Sequence, residues 1–298
     1  MRYRFIKAHL GIWPVSLQCL VLMVTRSGYY RWQSGTESVR SRRQKELLEK
    51  IREIHVKNRK RYGRRRVYKG LVKAGIRVSQ GTVGKLMRNH GIRPWYTKAF
   101  RRPKVEKTRK NVSPNSLNRN FQPGVLNKTW LSDLTQVKTS EGWLYLSVVE
   151  DLGSRRVLGW CMSSRMKTDI VLVGLRMAFS NRRDVPSKVL FHSDQGSQYR
   201  SLEVWALLKA KGLESSMSRK GNCWDNSPME SFFATLKREL YLDPRWTRQQ
   251  VKTEVFEFIE GYYNTERLHS TLGYASPMEY ETQIMEKDPQ SKSAKENG

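Results

Sequence analysis

The sequence predicts a two-part α/β protein in which a basic helical region precedes a mixed β-sheet flanked by helices. Its length of 298 residues leaves room for about two domains. Residues 1–128 carry a net charge of +28, whereas residues 129–298 carry a net charge of +1. The second part shows strand-like and helical segments in the order β-β-β-α-β-α-β-α, which is typical of a sheet with helices packed on it.

The surplus of positive charge indicates a polyanionic partner. The whole chain has 56 lysines and arginines against 27 aspartates and glutamates. A compact region with so many like charges repels itself unless a polyanion neutralises it, and nucleic acid is the commonest polyanion in a cytosol. The first part is therefore expected to bind DNA or RNA. A ribosomal-type RNA binder and a merely soluble basic surface are the alternatives on charge alone.

Composition argues against a membrane protein, a disulfide-rich protein and a wholly disordered chain. The longest apolar runs fall far short of the ~20 residues that span a bilayer. The basic and apolar N-terminus is interrupted by Pro14, Ser16 and Gln18 and is followed by no small-residue cleavage site, so we expect a chain that is retained in the cytosol. Three cysteines without a close pair, and histidines without partner cysteines, predict neither disulfides nor zinc.

Three short helices are predicted between residues 45 and 91. Apolar residues recur at helical spacing over residues 47–54 and in a second stretch that Gly75 closes, and Ser79 is suited to cap a third helix. Short helices joined by basic turns favour a helix-turn-helix module, with a generic helical hairpin as the alternative. The candidate DNA contacts in this module are Arg64, Arg65, Arg66, Lys85 and Arg88.

The pattern changes after residue 128. Residues 98–128 are basic and polar, contain three prolines and lack an apolar period, so a solvated linker is expected there. The predicted strands beyond it are Thr129–Val137, Leu144–Glu150, Val157–Cys161, Lys188–Phe191 and Leu213–Ser218. The predicted helices are Asp169–Phe179, Ser201–Lys211, Pro228–Leu240, Arg248–Tyr263 and Pro277–Met285.

Three acidic residues stand where burial of a charge is costly. Asp133 lies inside a strand, Asp194 at the end of another, and Glu230 early in a helix with an apolar face. A central strand, the end of its neighbour and an adjoining helix can meet at one edge of a sheet. Carboxylates without histidine or cysteine beside them suit Mg²⁺ or Mn²⁺. Two such ions activate an in-line phosphoryl displacement, and a phosphodiester is the substrate that matches the basic first part.

Six motifs, spread over nearly the whole chain, resemble those of one protein family. They are Ser27-Gly-Tyr-Tyr-Arg-Trp32, Tyr62-Gly-Arg-Arg65, Trp130-Leu-Ser-Asp-Leu-Thr135, His192-Ser-Asp-Gln-Gly-Ser-Gln-Tyr199, Trp224-Asp-Asn-Ser-Pro-Met-Glu-Ser-Phe-Phe233 and Tyr263-Asn-Thr-Glu-Arg-Leu-His-Ser-Thr-Leu-Gly-Tyr274. With these motifs the sequence resembles the bacterial insertion-sequence transposases of the insertion sequence three group, whose core is similar to retroviral integrase. The resemblance implies an RNase H-like core with a mixed five-stranded sheet, preceded by a helical helix-turn-helix-like DNA-binding domain.

The resemblance also implies roles for individual residues. Asp133, Asp194 and Glu230 occupy the positions of the DDE metal ligands, which hold two Mg²⁺ or Mn²⁺ ions in each active site. Lys237 lies seven residues after Glu230 on the same helical face, where the family places a basic residue for transposon-end DNA. A surface lysine without that role is the alternative.

Other polar residues of the motifs have simpler expectations. His192, a lone histidine beside a strand, is expected to be structural, and Asp225 is expected to form a turn or cap outside the metal set. Gln195 and Gln198 offer hydrogen bonds either to substrate or to the start of the next helix. Arg267 is expected either to contact DNA or to pair with an acid of the core.

These expectations divide the chain into six segments. They are a basic N-terminal region (1–44), a helix-turn-helix-like DNA-binding domain (45–97), a basic linker (98–128), an integrase-type catalytic core (129–240), a C-terminal helical extension (241–285) and a polar tail (286–298).

The main functional hypothesis is a DNA transposase that cleaves a strand at the end of its element and transfers the freed 3′-hydroxyl. The expected partners are terminal inverted repeats, target DNA, further copies of the chain on DNA, and an upstream-frame helix-turn-helix protein, separate or fused. No membrane partner is expected, and the expected location is the bacterial cytoplasm, on the nucleoid. The alternatives are a non-catalytic DNA-binding repressor of transposon ends and an RNase H-fold nuclease without strand transfer.

Overall fold

The chain forms two compact units, Met1–Trp95 and Tyr96–Gly298. The computed structural model describes residues 1–35, 38–95, 112–182, 185–186, 188–219 and 222–287. In that part of the chain the first unit consists of helices and the second contains a β-sheet. No helix among the described residues is long and apolar enough to cross a membrane.

The first unit begins with three short helices that the sequence pattern did not predict. They are α1 (Arg2–Ala8), α2 (Val15–Val21) and α3 (Arg26–Gln33). They pack around Ile6, Cys19 and Tyr29, which are all buried. Helices of seven or eight residues are too short to show a clear apolar period, and their stability comes from this small shared core.

Three further helices form the helix-turn-helix-like part: α4 (Val39–Lys57), α5 (Arg64–Lys73) and α6 (Gln80–Asn89). α4 begins well before the predicted apolar run, because the Ser38 hydroxyl accepts the backbone N–H of Ser41 at 3.1 Å. The expected boundary at residue 44 therefore falls inside this helix. Its first two turns are polar and mostly exposed, so no apolar period marks them.

The third of these helices forms as the sequence predicts. The Ser79 hydroxyl accepts the backbone N–H of Thr82 at 3.1 Å, and Val83, Leu86 and Met87 are buried. Burial of this face against α4 and α5 leaves the polar face of α6 on the surface.

The second unit contains a mixed five-stranded sheet, as the resemblance implied. Its strands are β1 (Thr129–Thr139), β2 (Gly142–Asp151), β3 (Val157–Ser163), β4 (Leu190–Ser193) and β5 (Glu214–Met217), in the spatial order β3-β2-β1-β4-β5. The first three strands form an antiparallel meander, and β4 and β5 add in parallel beside β1. Two helices, α7 (Asp169–Asn181) and α8 (Leu202–Ala210), make the parallel connections.

A continuous apolar core packs against one face of this sheet. The core residues come from the sheet, α7, α8 and the loops between them. They include Trp130, Val149, Leu158, Val171, Leu175, Phe191, Val204 and Met217. Because this core fills the space under β1 and β4, the ends of these strands are held in place for the site described below.

The second half of the predicted linker packs against the sheet instead of running through solvent. Within residues 112–128, the backbone N–H of Ser116 donates to the hydroxyl of Ser216 at 3.0 Å, and Leu117 is buried. These contacts with β5 are mostly polar and leave no apolar period, which is why the sequence pattern pointed to a solvated segment. Residues 98–111 of the predicted linker lie outside the described residues.

Three helices complete the second unit: α9 (Ser227–Glu239), α10 (Arg248–Phe258) and α11 (Pro277–Lys287). The helix predicted over Arg248–Tyr263 changes to a wider π-helical turn at Ile259–Tyr263, where the backbone N–H of Asn264 donates to the Ile259 carbonyl at 3.1 Å. This turn buries Tyr262 and Tyr263.

Candidate active site

Asp133 and Asp194 lie at the point where the central pair of parallel strands separates. The ladder between β1 and β4 ends with Leu131 opposite His192. Asp133 and Asp194 follow these two residues by the same two positions, so a parallel register carries both carboxylates to the same edge of the sheet. Asp133 is half-buried and Asp194 is exposed.

The turn that follows β4 holds the Asp194 side chain. The backbone N–H of Gly196 donates to Asp194 Oδ1 at 2.9 Å. A Cβ atom at Gly196 would lie 2.9 Å from the same oxygen, so a side chain there would push the carboxylate away. Although the residue as a whole is exposed, protein packed around its carboxylate removes part of the water there and raises the pKa of Asp194, while this N–H and the charge of Arg200 oppose the rise.

Tyr199 lies within the electrostatic influence of both aspartates. Its ring is buried, and its hydroxyl lies 2.8 Å from Ser132 Oγ. Because Ser132 Oγ donates to the Val148 carbonyl at 2.8 Å, the Tyr199 hydroxyl is the donor to Ser132. Burial raises the pKa of Tyr199 well above its ordinary value, and the nearby charges of Asp133 and Asp194 raise it further. Both carboxylates therefore lie close to one phenol.

Glu230 lies on the first turn of α9, a helix that packs against β1. The residue before this helix, Asn226, donates its side-chain amide to the Ser132 carbonyl at 3.3 Å, which ties the start of α9 to β1 beside Asp133. Met229 and other apolar residues of α9 are buried, and Glu230 is half-buried. The fold thus brings the elements that carry all three carboxylates together. No three His, Cys, Asp or Glu side chains of the described residues are gathered closely enough to form a metal site as they stand.

His192 has a structural role. It is fully buried, and its two ring nitrogens lie 2.9 Å and 3.1 Å from the hydroxyls of Ser216 and Ser218. Burial lowers the pKa of His192 to about 4, so the ring is neutral near pH 7. Both nitrogens are occupied in linking β4 to β5, which leaves neither for a metal ion or a proton transfer.

Asp225 also lies outside the set of candidate metal ligands. Its buried carboxylate accepts N–H groups from the Arg219 backbone at 3.0 Å and from the side chains of Arg219 and Arg119 at 2.8 Å. These hydrogen bonds, with those of Arg219 the strongest, hold the pKa of Asp225 well below its ordinary value. The residue stabilises the turn before α9.

The two glutamines after Asp194 make contacts within the protein. Gln195 donates to the Ser218 carbonyl at 2.9 Å, and Gln198 donates to the Met166 carbonyl at 3.2 Å. The start of α8 is capped by Ser201 and not by either glutamine. Their side chains therefore fix the turn that carries Asp194, an outcome that neither sequence-based alternative foresaw.

Arg267 pairs with an acid of the core. Its guanidinium donates to both carboxylate oxygens of Glu239, each at 2.9 Å, and lies 5.5 Å from the centre of the Tyr263 ring. The side chains of Arg267 and Glu239 are 4% and 0% exposed. Burial alone would lower the pKa of Arg267, but its pairing with Glu239 raises it. Arg267 therefore fastens the end of α9 and does not face DNA.

The candidate DNA contacts lie on both units. Arg64, Arg65, Lys85 and Arg88 are exposed on the first unit, and the Arg66 guanidinium lies 5.6 Å from the centre of the Tyr62 ring. The stem of Arg64 crosses α6 at Gly84, where a Cβ atom would lie 2.5 Å from Arg64 Cδ. Lys237 is half-buried on α9, in the second unit.

Sequence reasoning gave no role to Tyr199 or Ser132, although both belong to the quoted motifs. Their function depends on a contact between residues 67 positions apart. A tyrosine five residues after Asp194, next to a strand end, was the available signal. It does not show which partner the hydroxyl meets.

Three stretches of the chain match known domain families. Residues 42–100 match an HTH-like domain, and residues 126–223 and 211–277 match integrase core domains. The mixed sheet and its acidic edge belong to the second of these classes, with the RNase H-like arrangement that the motifs implied. The protein is therefore a polynucleotidyl transferase of the DDE integrase class with an HTH-like DNA-binding domain in front of its core.

Close relatives narrow this class to one family. The chain is 43% identical over 239 residues to the transposase for insertion sequence element IS904 of Lactococcus lactis, covering 79% of this chain and 93% of that protein. It is 36% identical over 284 residues to the transposase InsF for insertion sequence IS3A of Escherichia coli K12, covering 94% and 98%. The chain belongs to the insertion sequence three (IS3) family of transposases, and its function is that of a DNA transposase.

Two solved viral structures align with part of this chain. The HTLV-2 integrase catalytic core in complex with magnesium aligns with a TM-score of 0.41 and 15% identity, over 53% of this chain and 99% of that core. The simian T-cell lymphotropic virus intasome aligns with a TM-score of 0.42 and 15% identity, over 74% and 70%. The integrase core family uses divalent metal ions and transposases bind DNA, so these two expectations are confirmed in general form.

Proposed function

We propose that Asp133, Asp194 and Glu230 are the catalytic carboxylates of this transposase. The observation that carries the proposal is the end of the β1–β4 ladder, where the parallel register directs Asp133 and Asp194 to one edge. The hydrogen bond from Asn226 to Ser132 supports the third assignment, since it joins the helix of Glu230 to the strand of Asp133.

The donor set at this edge fits a hard divalent cation. Its side chains are carboxylates, and the histidine nearest in sequence has both nitrogens engaged with serines. Asp133, Asp194 and Glu230 would hold two Mg²⁺ or Mn²⁺ ions. When bound, these ions supply activation of the attacking oxygen and stabilisation of the leaving oxygen.

The reaction consists of two phosphoryl transfers. In the first, a water oxygen attacks a phosphodiester at the end of the element, the phosphorus bond to the 3′-oxygen breaks, and a 3′-hydroxyl is released. In the second, that hydroxyl attacks another phosphodiester and the corresponding 3′-oxygen leaves. Each bond broken is replaced by one formed, so no covalent bond between the protein and DNA is required.

The basic residues would bind the DNA backbone while this chemistry proceeds. Lys237 lies two helical turns beyond Glu230 on one face of α9, where its ammonium group would contact a phosphate near the carboxylates. In the first unit the exposed residues Arg64, Arg65, Lys85 and Arg88, together with Arg66, would hold DNA through phosphate and base contacts.

The partners would be the terminal inverted repeats of an insertion sequence and the target DNA. Two element ends require two active sites, which favours a homo-oligomer assembled on DNA. An upstream-frame helix-turn-helix protein, separate or fused, would add further DNA contacts. We place this reaction in the cytoplasm, on the nucleoid.

Replacement of Asp194 tests the proposal. Asp194→Asn keeps the size of the side chain and removes one metal-binding charge, so cleavage and strand transfer of a labelled element end in Mg²⁺ should fall by at least about 1000-fold. DNA affinity should stay within about twofold, because the variant leaves the basic residues intact. Asp169→Asn is the matched control, since Asp169 is an exposed aspartate in the first turn of α7.

The products identify the reaction. Joined strands are the expected product of the wild type. Shortened strands without joining would instead indicate a nuclease, and a band shift without any cleavage would indicate a DNA-binding protein. Normal cleavage by Asp194→Asn would show that the metal ligands are elsewhere.

A further inference from the structure

Trp224 is the most exposed tryptophan of this protein. All nine tryptophans lie in the described residues, and the side chain of Trp224 is 68% exposed. Trp130, by comparison, is fully buried in the core. Tryptophan is enriched at binding interfaces, so an indole this exposed is a candidate for contact with a ligand.

The residues that follow Trp224 are held by hydrogen bonds. Trp224 lies in the short 3₁₀ turn Cys223–Asn226, directly before α9. The next residue, Asp225, is buried and accepts four N–H groups, and the residue after it, Asn226, donates to β1. The backbone that carries the indole is thus already ordered. Stacking of a ligand on the indole therefore costs the protein little conformational entropy.

Positive charge is gathered around Asp225, the residue that follows Trp224. Arg119 and Arg219 share the single carboxylate of Asp225, and their side chains are 45% and 54% exposed. Two guanidinium groups on one carboxylate leave a net charge of +1 beside the indole. Exposed aromatic rings together with partly exposed arginines are the combination with which proteins bind single-stranded nucleic acid.

The position of the turn connects it with the proposed active site. Asn226, two residues after Trp224, is hydrogen-bonded to the carbonyl of Ser132, the neighbour of Asp133. Glu230 follows Trp224 by six residues, on the first turn of α9. The exposed indole therefore lies on the segment that leads into the helix of Glu230 and is hydrogen-bonded to the strand of Asp133.

We infer that Trp224 stacks on an unpaired DNA base next to the scissile phosphate, and that Arg119 and Arg219 contact the adjoining backbone. In a duplex the base faces are covered by their neighbours, so the ring requires a base that is unpaired or splayed out at a DNA end. Trp224 is thus a residue that positions the substrate strand. This inference rests on the proposed function, because it takes the edge of the sheet to be where DNA is cut.

Binding of a DNA end by the full chain, in EDTA so that no strand is cut, tests this inference. The probe is a DNA hairpin with a four-nucleotide 3′ overhang that carries 2-aminopurine, whose fluorescence is quenched by stacking. Trp224→Ala should weaken binding of this hairpin by about 5- to 150-fold, the range for loss of one stacked base, and should remove the quenching. Trp224→Phe, which keeps an aromatic face, should retain most of both.

Three controls separate stacking from other effects. A blunt hairpin should bind Trp224→Ala as tightly as wild type. The salt dependence of binding should not change, because the indole carries no charge. Trp205→Ala, which removes a 49% exposed tryptophan on α8, should behave as wild type.

The readout requires no catalytic turnover, so it is independent of the test of the three carboxylates. Unchanged binding and quenching in Trp224→Ala would overturn the inference. A change in the mass of the protein by sedimentation, with unchanged DNA binding, would also overturn it and would identify the indole as a contact between protein copies.

Discussion

Acidic residues occupy two regions of the second unit, and their surroundings differ. At the edge of the sheet Asp194 is exposed, and Asp133 and Glu230 are half-buried. Beneath the C-terminal helices the carboxylates are deeply buried and paired with arginines, as Glu239 is with Arg267. The side chains have the same chemistry in both regions, but the degree to which they are buried differs.

The Glu281 cluster shows the second kind of environment most fully. This buried residue of α11 accepts hydrogen bonds from Ser154 at 2.7 Å and Arg156 at 2.8 Å, and it also pairs with Arg182. Burial alone would raise the pKa of Glu281, but Arg182 brings it below its ordinary value. The cluster fastens α11 to α7 and to the turn between β2 and β3. A buried carboxylate that is paired with arginines inside the protein stabilises the architecture.

Helix α9 carries one carboxylate of each kind, so it offers the sharpest comparison. Glu230 lies in its first turn and Glu239 is its last residue. Replacement of Glu230 by glutamine should therefore reduce activity and leave stability nearly unchanged. The same replacement at Glu239 should reduce stability.

Glu230→Gln should give the larger effect, and the effect should be on chemistry. Loss of one metal-binding charge should reduce cleavage and strand transfer by at least about 10⁴-fold, which corresponds to about 5 kcal/mol of transition-state stabilisation. The free energy of unfolding should change by less than about 1 kcal/mol, since Glu230 is half-buried at the surface. Single-turnover kinetics and urea denaturation measure the two quantities. A large loss of stability would show that Glu230, like Glu239, stabilises the fold.

Glu239→Gln should instead destabilise the fold. It leaves the Arg267 guanidinium buried without its counter-charge, and breaking a buried pair in this way costs about 3–5 kcal/mol. Urea denaturation of the variant and of the wild type measures this difference. The double variant Glu239→Leu with Arg267→Met is the control, because removing both charges should recover much of the loss. A Glu239→Gln protein of wild-type stability would contradict the assigned role of the pair.

Glu150 should give a smaller effect that depends on pH. Burial raises the pKa of Glu150 to about 7 from an ordinary value of 4.5, although Arg155 and Tyr263 oppose the rise. The folded state thus binds this proton more tightly than the unfolded chain does. The contribution of Glu150 to the stability of the wild type is therefore lost as the pH rises from about 4.5 to 7, and it amounts to about 3 kcal/mol.

Glu150→Gln cannot ionise, so it isolates this contribution. The stability of the variant relative to wild type should increase between about pH 4 and pH 8. Urea denaturation at several pH values measures the difference, in which most other titrating groups cancel. A difference that is constant over this range would contradict the raised pKa.

Much of the second unit could be predicted from the sequence alone. The alternation of strands and helices, the caps and the motif around each acid pointed to a mixed sheet with Asp133, Asp194 and Glu230 at functional positions. These features are local, since an apolar period or a capping serine acts over a few residues. The sequence could not assign Arg267, because its partner Glu239 lies 28 residues away and pairing depends on how α9 and the π-helical turn meet.

The segments that the sequence analysis misjudged share one physical cause. The helices within residues 1–35 are short, and residues 112–128 attach to the sheet largely through polar groups. Neither has an apolar repeat long enough to be recognised. Their structure is stabilised by contacts with distant residues and not by local propensity.

The order of amino acids thus determined the charge division, most strands and helices of the second unit and the DDE family, because each is written in local patterns or motifs. The folded chain decided which polar groups meet. It directs Asp133 and Asp194 to one sheet edge, engages His192 with serines, encloses Glu239 with Arg267 and displays Trp224 beside two arginines. The reason is that exposure and the dielectric surroundings of a side chain depend on residues far along the chain, and these set whether a charge is held inside or offered to a ligand.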